Sequence, residues 1–168
     1  INYYFCMMIT RSEENYIKAI LSINFEKNSI VSTNEIAKIL ETSAASVTEM
    51  IKKLQDKKLV IYEKYKGVKL SKAGRIKAFE ILRKHRLWET FLVNKLDFSW
   101  GEVHDVAEQL EHIKSEKLTD KLDHFLNYPK FDPHGEPIPT KSGIIPSTKR
   151  ITLSEMKINS KGIIMGVS

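Results

Sequence analysis

The chain has 168 residues, 42% of them hydrophobic and 29% charged, with a net charge of +6 and a pI near 9.3. That length can bury a proper core in one or two small domains, and the composition is that of an ordinary globular protein. A single cysteine, Cys6, excludes a disulfide framework and points to a reducing, cytoplasmic setting, and no apolar run approaches bilayer length.

The charge is unevenly spread. Residues 1–77 carry 14 Lys/Arg against 8 Asp/Glu, a balance of +6, whereas residues 78–128 carry 7 against 10, a balance of −3. Translation is expected to start at Met7 or Met8, since the opening residues lack the basic start and apolar run of a signal peptide.

Thr10 or Ser12 can cap a first helix, whose apolar positions Tyr16, Ile17, Ile20, Leu21 and Phe25 recur at helical spacing. Ser32-Thr-Asn-Glu35 is a capping-box pattern that opens a short helix, Ile36 to Leu40. Glu41-Thr-Ser turns, and Ala44 or Ala45 begins a third helix with Val47, Met50, Ile51 and Leu54 facing inward. Leu59 to Tyr65 alternates as a strand, Lys66-Gly67 turns, and Val68-Lys-Leu returns. Ser71 then caps a long helix towards Leu96. Helix, turn, helix and hairpin in this order predict a winged helix-turn-helix. All five prolines lie between Pro129 and Pro146, so Phe131 to Gly143 reads as a linker or extended crossover.

A recognition helix needs small or polar residues where it meets bases and cations where it meets phosphates. Ser43, Ala45, Ser46 and Glu49 suit the first role, and Thr33 is placed with them as an expected DNA contact. Lys52, Lys53, Lys57 and Lys58 suit the second, and Lys64, Lys66 and Lys69 place cations on the wing.

The run His104-Asp-Val-Ala-Glu-Gln-Leu-Glu-His112 is the strongest chemical signal. At about 100° per residue, His104, Glu108, Glu111 and His112 share one helical stripe. Two imidazoles and two carboxylates gathered this way suit a divalent cation, and the absence of thiolate favours manganese or ferrous iron, with zinc less exclusive. His85 and Glu89 form a second pair one turn apart, while His124 and His134 carry no signal of their own.

These residues resemble the diphtheria toxin repressor and manganese transport regulator (DtxR/MntR) family over Thr10 to Pro139. The resemblance rests on Lys84-His85-Arg86-Leu87 with Glu89, the His104 to His112 run, Pro133-His-Gly-Glu-Pro-Ile-Pro139, and the wing Glu63-Lys-Tyr-Lys-Gly-Val-Lys-Leu70. It implies a mainly α protein: a winged helix-turn-helix DNA-binding domain (8–77), an all-helical metal-binding and dimerisation domain (78–140), and a linker with the truncated start of an SH3-like β domain (141–168), with first strands in Ile151 to Val167. It implies a homodimer that binds a palindromic operator and represses metal-uptake genes, with two Mn(II) or Fe(II) sites per subunit. One site would use Glu108, Glu111 and His112 with Asn15 of the first helix, and the other His85, Glu89 and His104. Asn15 stands where relatives carry Met or Asp, and Lys18 where manganese regulators carry Glu. No membrane and no small organic substrate are expected. Two other readings share parts of the pattern: a winged-helix regulator indifferent to metal, and a di-metal carboxylate enzyme, for which four long helices would be needed.

Overall fold

The computed structural model describes residues 9–27, 30–64, 66–146 and 153–161. In chain order these form α1 (Arg11–Lys27), α2 (Thr33–Ile39), α3 (Ala44–Asp56), the strands β1 (Val60–Glu63) and β2 (Gly67–Leu70), α4 (Lys72–Leu96), α5 (Val103–Leu110) and α6 (Glu116–Phe125). The chain divides into two compact units, Ile1–Ile81 and Leu82–Ser168. The division lies inside α4, as does the expected boundary at 77/78.

The first unit forms where its capping signals say it should. Thr10 opens α1: its hydroxyl accepts from the Glu13 amide at 3.2 Å, and the Glu13 carboxylate accepts from the Thr10 amide at 2.8 Å. Ser32 and Glu35 make the same reciprocal pair at the start of α2. Ser43 caps α3, accepting from the Ser46 amide, and Ser71 caps α4, accepting from the Gly74 amide at 3.0 Å. Each cap satisfies amides that the helix leaves without partners and contributes about 1 kcal/mol.

These helices close on one core. Ile17, Ile20, Val31, Ile36, Val47, Ile51, Leu54, Val68 and Ile81 are all fully buried and belong to it. Each such aliphatic side chain stabilises the fold by about 1.5–3 kcal/mol relative to exposure. Phe25, expected inside, is instead 48% exposed, with its ring 5.9 Å from Phe79.

The wing hairpin is antiparallel, with Glu63 opposite Gly67 and Val60 opposite Leu70. Its first strand is shorter than the sequence suggested, the second starts one residue earlier at Gly67, and the turn begins at Lys64 rather than Lys66. Val31 adds a third, single-residue rung: Val31 and Val68 exchange both backbone hydrogen bonds at 2.9 and 2.8 Å. Gly67 permits this close approach. Its φ is +123°, and a Cβ there would lie 2.5 Å from the Val31 carbonyl oxygen.

In the second unit, Leu87 of α4, Leu122 of α6 and Ile138 form a small buried cluster with Trp88, Phe91 and Leu126 against it. The proline segment is not a free linker. Residues 129–140 form an extended strap docked on α4, with a Phe131–Pro137 bridge and a turn at Gly135 (φ +79°). Arg83 donates to the Pro139 carbonyl at 2.9 Å and to Asp123 at 2.7 Å, and Arg86 donates to the Pro137 carbonyl at 2.6 Å.

Two expectations fall largely outside the described residues: the start at Met7 or Met8, and the strands of Ile151 to Val167. The described part of the latter holds a single 3-10 turn, Leu153–Glu155. Among the described residues, no helix is long and apolar enough to cross a membrane.

Candidate metal centre and DNA-facing surface

α4 presents His85 and Glu89 one turn apart, and both are buried, at 5% and 3% exposure. The His85 Nε2 lies 3.0 Å from Glu89 Oε1, and its Nδ1 lies 2.6 Å from Glu111 Oε2. A single imidazole thus sits between two buried carboxylates. From α5, His104 brings Nδ1 to 3.4 Å from Glu89 Oε1, and its ring stands edge-on to His85 at 4.9 Å. Burial works against ionisation of Glu89, but the hydrogen bond and charge of His85, then His134 and His104, outweigh it and hold the carboxyl below its ordinary range.

The strap adds two residues that the sequence reading passed over. His134 Nδ1 lies 3.8 Å from Glu89 Oε2, and Asp132 is 7% exposed. Burial raises the Asp132 pKa, with the backbone amide of Glu136 pulling the other way and the charge of Glu89 adding to the rise. Among the described residues, ligand atoms converge within 4.8 Å in two groups: His85, Glu89 and His104, and Glu89, Asp132 and His134. Glu89 belongs to both. The Pro133-His-Gly-Glu-Pro stretch was visible as a motif, but only the strap's docking brings His134 beside a residue 45 positions earlier in the chain.

The expected stripe from His104 to His112 is only partly realised. α5 closes at Leu110, Glu111 is its C-cap, and His112 lies in the turn that follows. Glu111 is 1% exposed and faces His85, whereas the side chains of His104 and Glu108 are 57% and 48% exposed. Glu108 Oε1 lies 3.6 Å from His104 Nε2, and His112 Nε2 lies 3.8 Å from Glu111 Oε1. Glu108, Glu111 and His112 therefore do not converge as a triplet within 4.8 Å. Asn15 lies half-buried on α1 in the first unit.

The donors fit a divalent metal. They are imidazole nitrogens and carboxylate oxygens without thiolate, a set that suits Mn(II), Fe(II) or Zn(II). Among the described residues, every buried side-chain nitrogen or oxygen has a partner, so these donors satisfy one another when no ion is present.

On the first unit, Ser43, Ala45, Ser46, Glu49, Lys52 and Lys53 are exposed on α3, Thr33 is half-buried at the start of α2, and Lys64 and Lys66 are exposed on the wing. Some of these side chains are already engaged. The Ser43 and Ser46 hydroxyls lie 2.9 Å apart because Ser43 is a cap, and Lys66 pairs with Glu63 at 2.9 Å. Lys57 pairs with Glu13 of α1 at 2.7 Å, which makes it an internal brace rather than an open phosphate contact.

Comparison with known proteins accounts for both units. Residues 8–68 match the family model described as iron dependent repressor, N-terminal DNA binding domain, and residues 71–140 match iron dependent repressor, metal binding and dimerisation domain. The chain is 36% identical over 104 residues to the iron-dependent repressor IdeR of Mycobacterium leprae, covering 62% of this chain and 45% of that protein. It is 34% identical over 118 residues to an HTH-type transcriptional regulator of Methanocaldococcus jannaschii, covering 70% of this chain and 94% of that one. A solved manganese-dependent transcriptional repressor in complex with manganese superposes with a TM-score of 0.80 at 37% identity, covering 93% of this chain and 72% of the other. The chain spans about half the length of the curated iron-dependent and diphtheria toxin repressors that it matches.

Proposed function

The chain belongs to the iron-dependent repressor family, and from that premise we propose that it is a DNA-binding transcriptional regulator switched by Mn(II) or Fe(II), a repressor of metal-uptake genes. The observation that carries the reading is the buried His85, flanked by Glu89 and Glu111 and joined by His104, in a protein whose other unit is a winged helix with an exposed basic face. Two carboxylates buried around one imidazole present charged oxygen and nitrogen donors that a divalent cation can take over.

Two cations per subunit are proposed. His85, Glu89 and His104 hold one. Glu108, Glu111 and His112 hold the other. Bound metal supplies positive charge that offsets the repulsion between these carboxylates. His85 orients both Glu89 and Glu111.

The protein works as a cytoplasmic homodimer on palindromic operator DNA. α3 lies in the major groove, with Ser43, Ala45, Ser46 and Glu49 near base edges and Thr33 beside them. Lys52, Lys53, Lys64 and Lys66 contact phosphates. Ser43 and Ser46 act as a paired hydroxyl unit rather than as independent donors. No arginine lies on this face, so sequence is read through small-residue contacts and DNA shape. We assign it no catalytic reaction and no small organic substrate.

The test is DNA binding to an AT-rich palindromic promoter fragment, titrated with Mn(II) or Fe(II), for wild type and Glu108→Ala. Metal should tighten binding by roughly 5–150-fold, the usual span of such coupling, and the variant should lose most of it. Equal binding with and without metal in both proteins would leave a winged-helix regulator indifferent to metal.

A further inference from the structure

The strap is held to α4 by Ile138 packed on Leu87, by Arg83 at Pro139 and, between Asp132 and Pro137, by Arg86. Arg86 sits one turn before Glu89's neighbour Thr90, with its side chain 11% exposed, and makes three contacts at once. It donates to the Pro137 carbonyl at 2.6 Å, pairs with the Glu136 carboxylate, and places Nε 3.5 Å from Asp132 Oδ2. Within the strap, Asp132 Oδ1 accepts from the Glu136 amide at 2.8 Å, and the Asp132 amide donates to the Glu136 carbonyl at 3.0 Å. The loop from Asp132 to Glu136, which carries His134 at its centre, is therefore closed on itself and bolted to α4 through Arg86.

We infer that Arg86 is a positioning residue for the strap side of the metal centre: it holds Asp132 and His134 against Glu89, so that the donors converge before any ion arrives. This rests on the metal-dependent reading above. Only a planar guanidinium can serve a carbonyl and two carboxylates in fixed directions. A lysine would keep the charge but lose the fork. The contact with Asp132 is the longest of the three, so Arg86 fixes this carboxylate's direction without occupying it. Arg83 ties down the end of the strap at Pro139, away from the donors, and provides an internal comparison.

The experiment combines two readouts on the full chain. Mn(II) affinity is measured by calorimetry for wild type, Arg86→Lys, His134→Ala and the double variant. Amide hydrogen exchange over residues 130–138 is measured on the metal-free proteins. Arg86→Lys should lower Mn(II) affinity about 10-fold or more, the usual effect of removing a group that orients a ligand. Adding it to His134→Ala should cost less than it does in the wild type, because only Asp132 then remains for Arg86 to hold. In the metal-free state, strap amides should exchange faster in Arg86→Lys and at the wild-type rate in His134→Ala. Glu136→Ala, which removes one leg of the clasp at an exposed side chain, should shift both readouts the same way by less. Unchanged affinity in Arg86→Lys, fully additive losses in the double variant, or unchanged strap exchange would each overturn the inference. A wild-type protein that binds no Mn(II) would instead sink the metal-dependent reading, and the exchange data would still report on the clasp.

Discussion

Replacing His85 with Phe asks what the imidazole does before any metal binds. Phe keeps a ring of similar volume, so little of its effect comes from a cavity. It removes the group 2.6 Å from Glu111 and 3.0 Å from Glu89, and both of those carboxylates are almost wholly buried. Taking one partner from a buried, hydrogen-bonded charge pair costs about 3–5 kcal/mol. His104 at 3.4 Å and His134 at 3.8 Å remain near Glu89, and His112 at 3.8 Å remains near Glu111, so the lower end of that range is expected. For a chain of this size a loss of about 3 kcal/mol lowers Tm by about 6 °C or more. Urea unfolding of the metal-free protein at neutral pH measures it directly. The difference should narrow as pH falls. The Glu89 pKa is depressed in the folded protein, so its contribution is present above the usual value of 4.5 and fades below it. Adding Glu111→Gln to His85→Phe should recover part of the loss by removing one uncompensated charge. A loss under about 1 kcal/mol, or no recovery with Glu111→Gln, would refute the account of His85 as the group that makes these carboxylates tolerable.

Other substitutions test other parts of the structure. Glu13→Gln should lower stability most at neutral pH and least at the most acidic pH at which the fold persists. Burial opposes Glu13 ionisation, but Lys57 and Thr10 together depress its pKa, so its contribution exists above 4.5 and is lost as pH falls through the lower folded value. Urea midpoints at the two pH values check this, and an equal deficit at both would contradict it. Gly74→Ala would set a Cβ 1.9 Å from the Leu59 carbonyl oxygen, which accepts from the Ser71 amide at the wing–α4 junction. A loss of about 1–3 kcal/mol or more is expected in thermal unfolding. Lys52→Ala and Lys53→Ala should each flatten the salt dependence of DNA affinity by about one unit of slope while leaving Mn(II) affinity unchanged. An unchanged slope would place α3 away from the phosphates.

Local chemistry made the first unit legible. Thr10, Ser32 with Glu35, and Ser71 announce their helix starts in sequence and each forms its cap, whereas Ser43, placed with the base contacts, is the cap of α3. The wing's turn was misplaced by two residues because Lys66 and Gly67 look like the turn itself, whereas Gly67 is the first residue of the returning strand. Its real constraint is the approach of Val31, which no local pattern records. The trio His85, Glu89 and His104 was grouped through the family resemblance, and its ligand atoms do converge, whereas the stripe beyond His104 and the share of Asp132 and His134 were not legible. Helical spacing placed His104, Glu108, Glu111 and His112 on one face, yet α5 ends at Leu110 and Glu111 turns into His85. Asp132 and His134 reach Glu89 through a strap pinned by Arg83 and Arg86, contacts spanning about fifty residues of sequence. Lys57 was read as an outward cation and serves Glu13 instead, because exposure on a helix face depends on what packs beside it.

The most direct test of the central claim is the Mn(II) affinity of the protein measured with and without saturating palindromic DNA. If metal and DNA binding are linked through this chain, DNA must tighten Mn(II) binding by the same factor that Mn(II) tightens DNA binding. Matching factors, both reduced in Glu108→Ala, are the predicted result. A Mn(II) affinity blind to DNA would contradict the account and separate the metal centre from the winged helix.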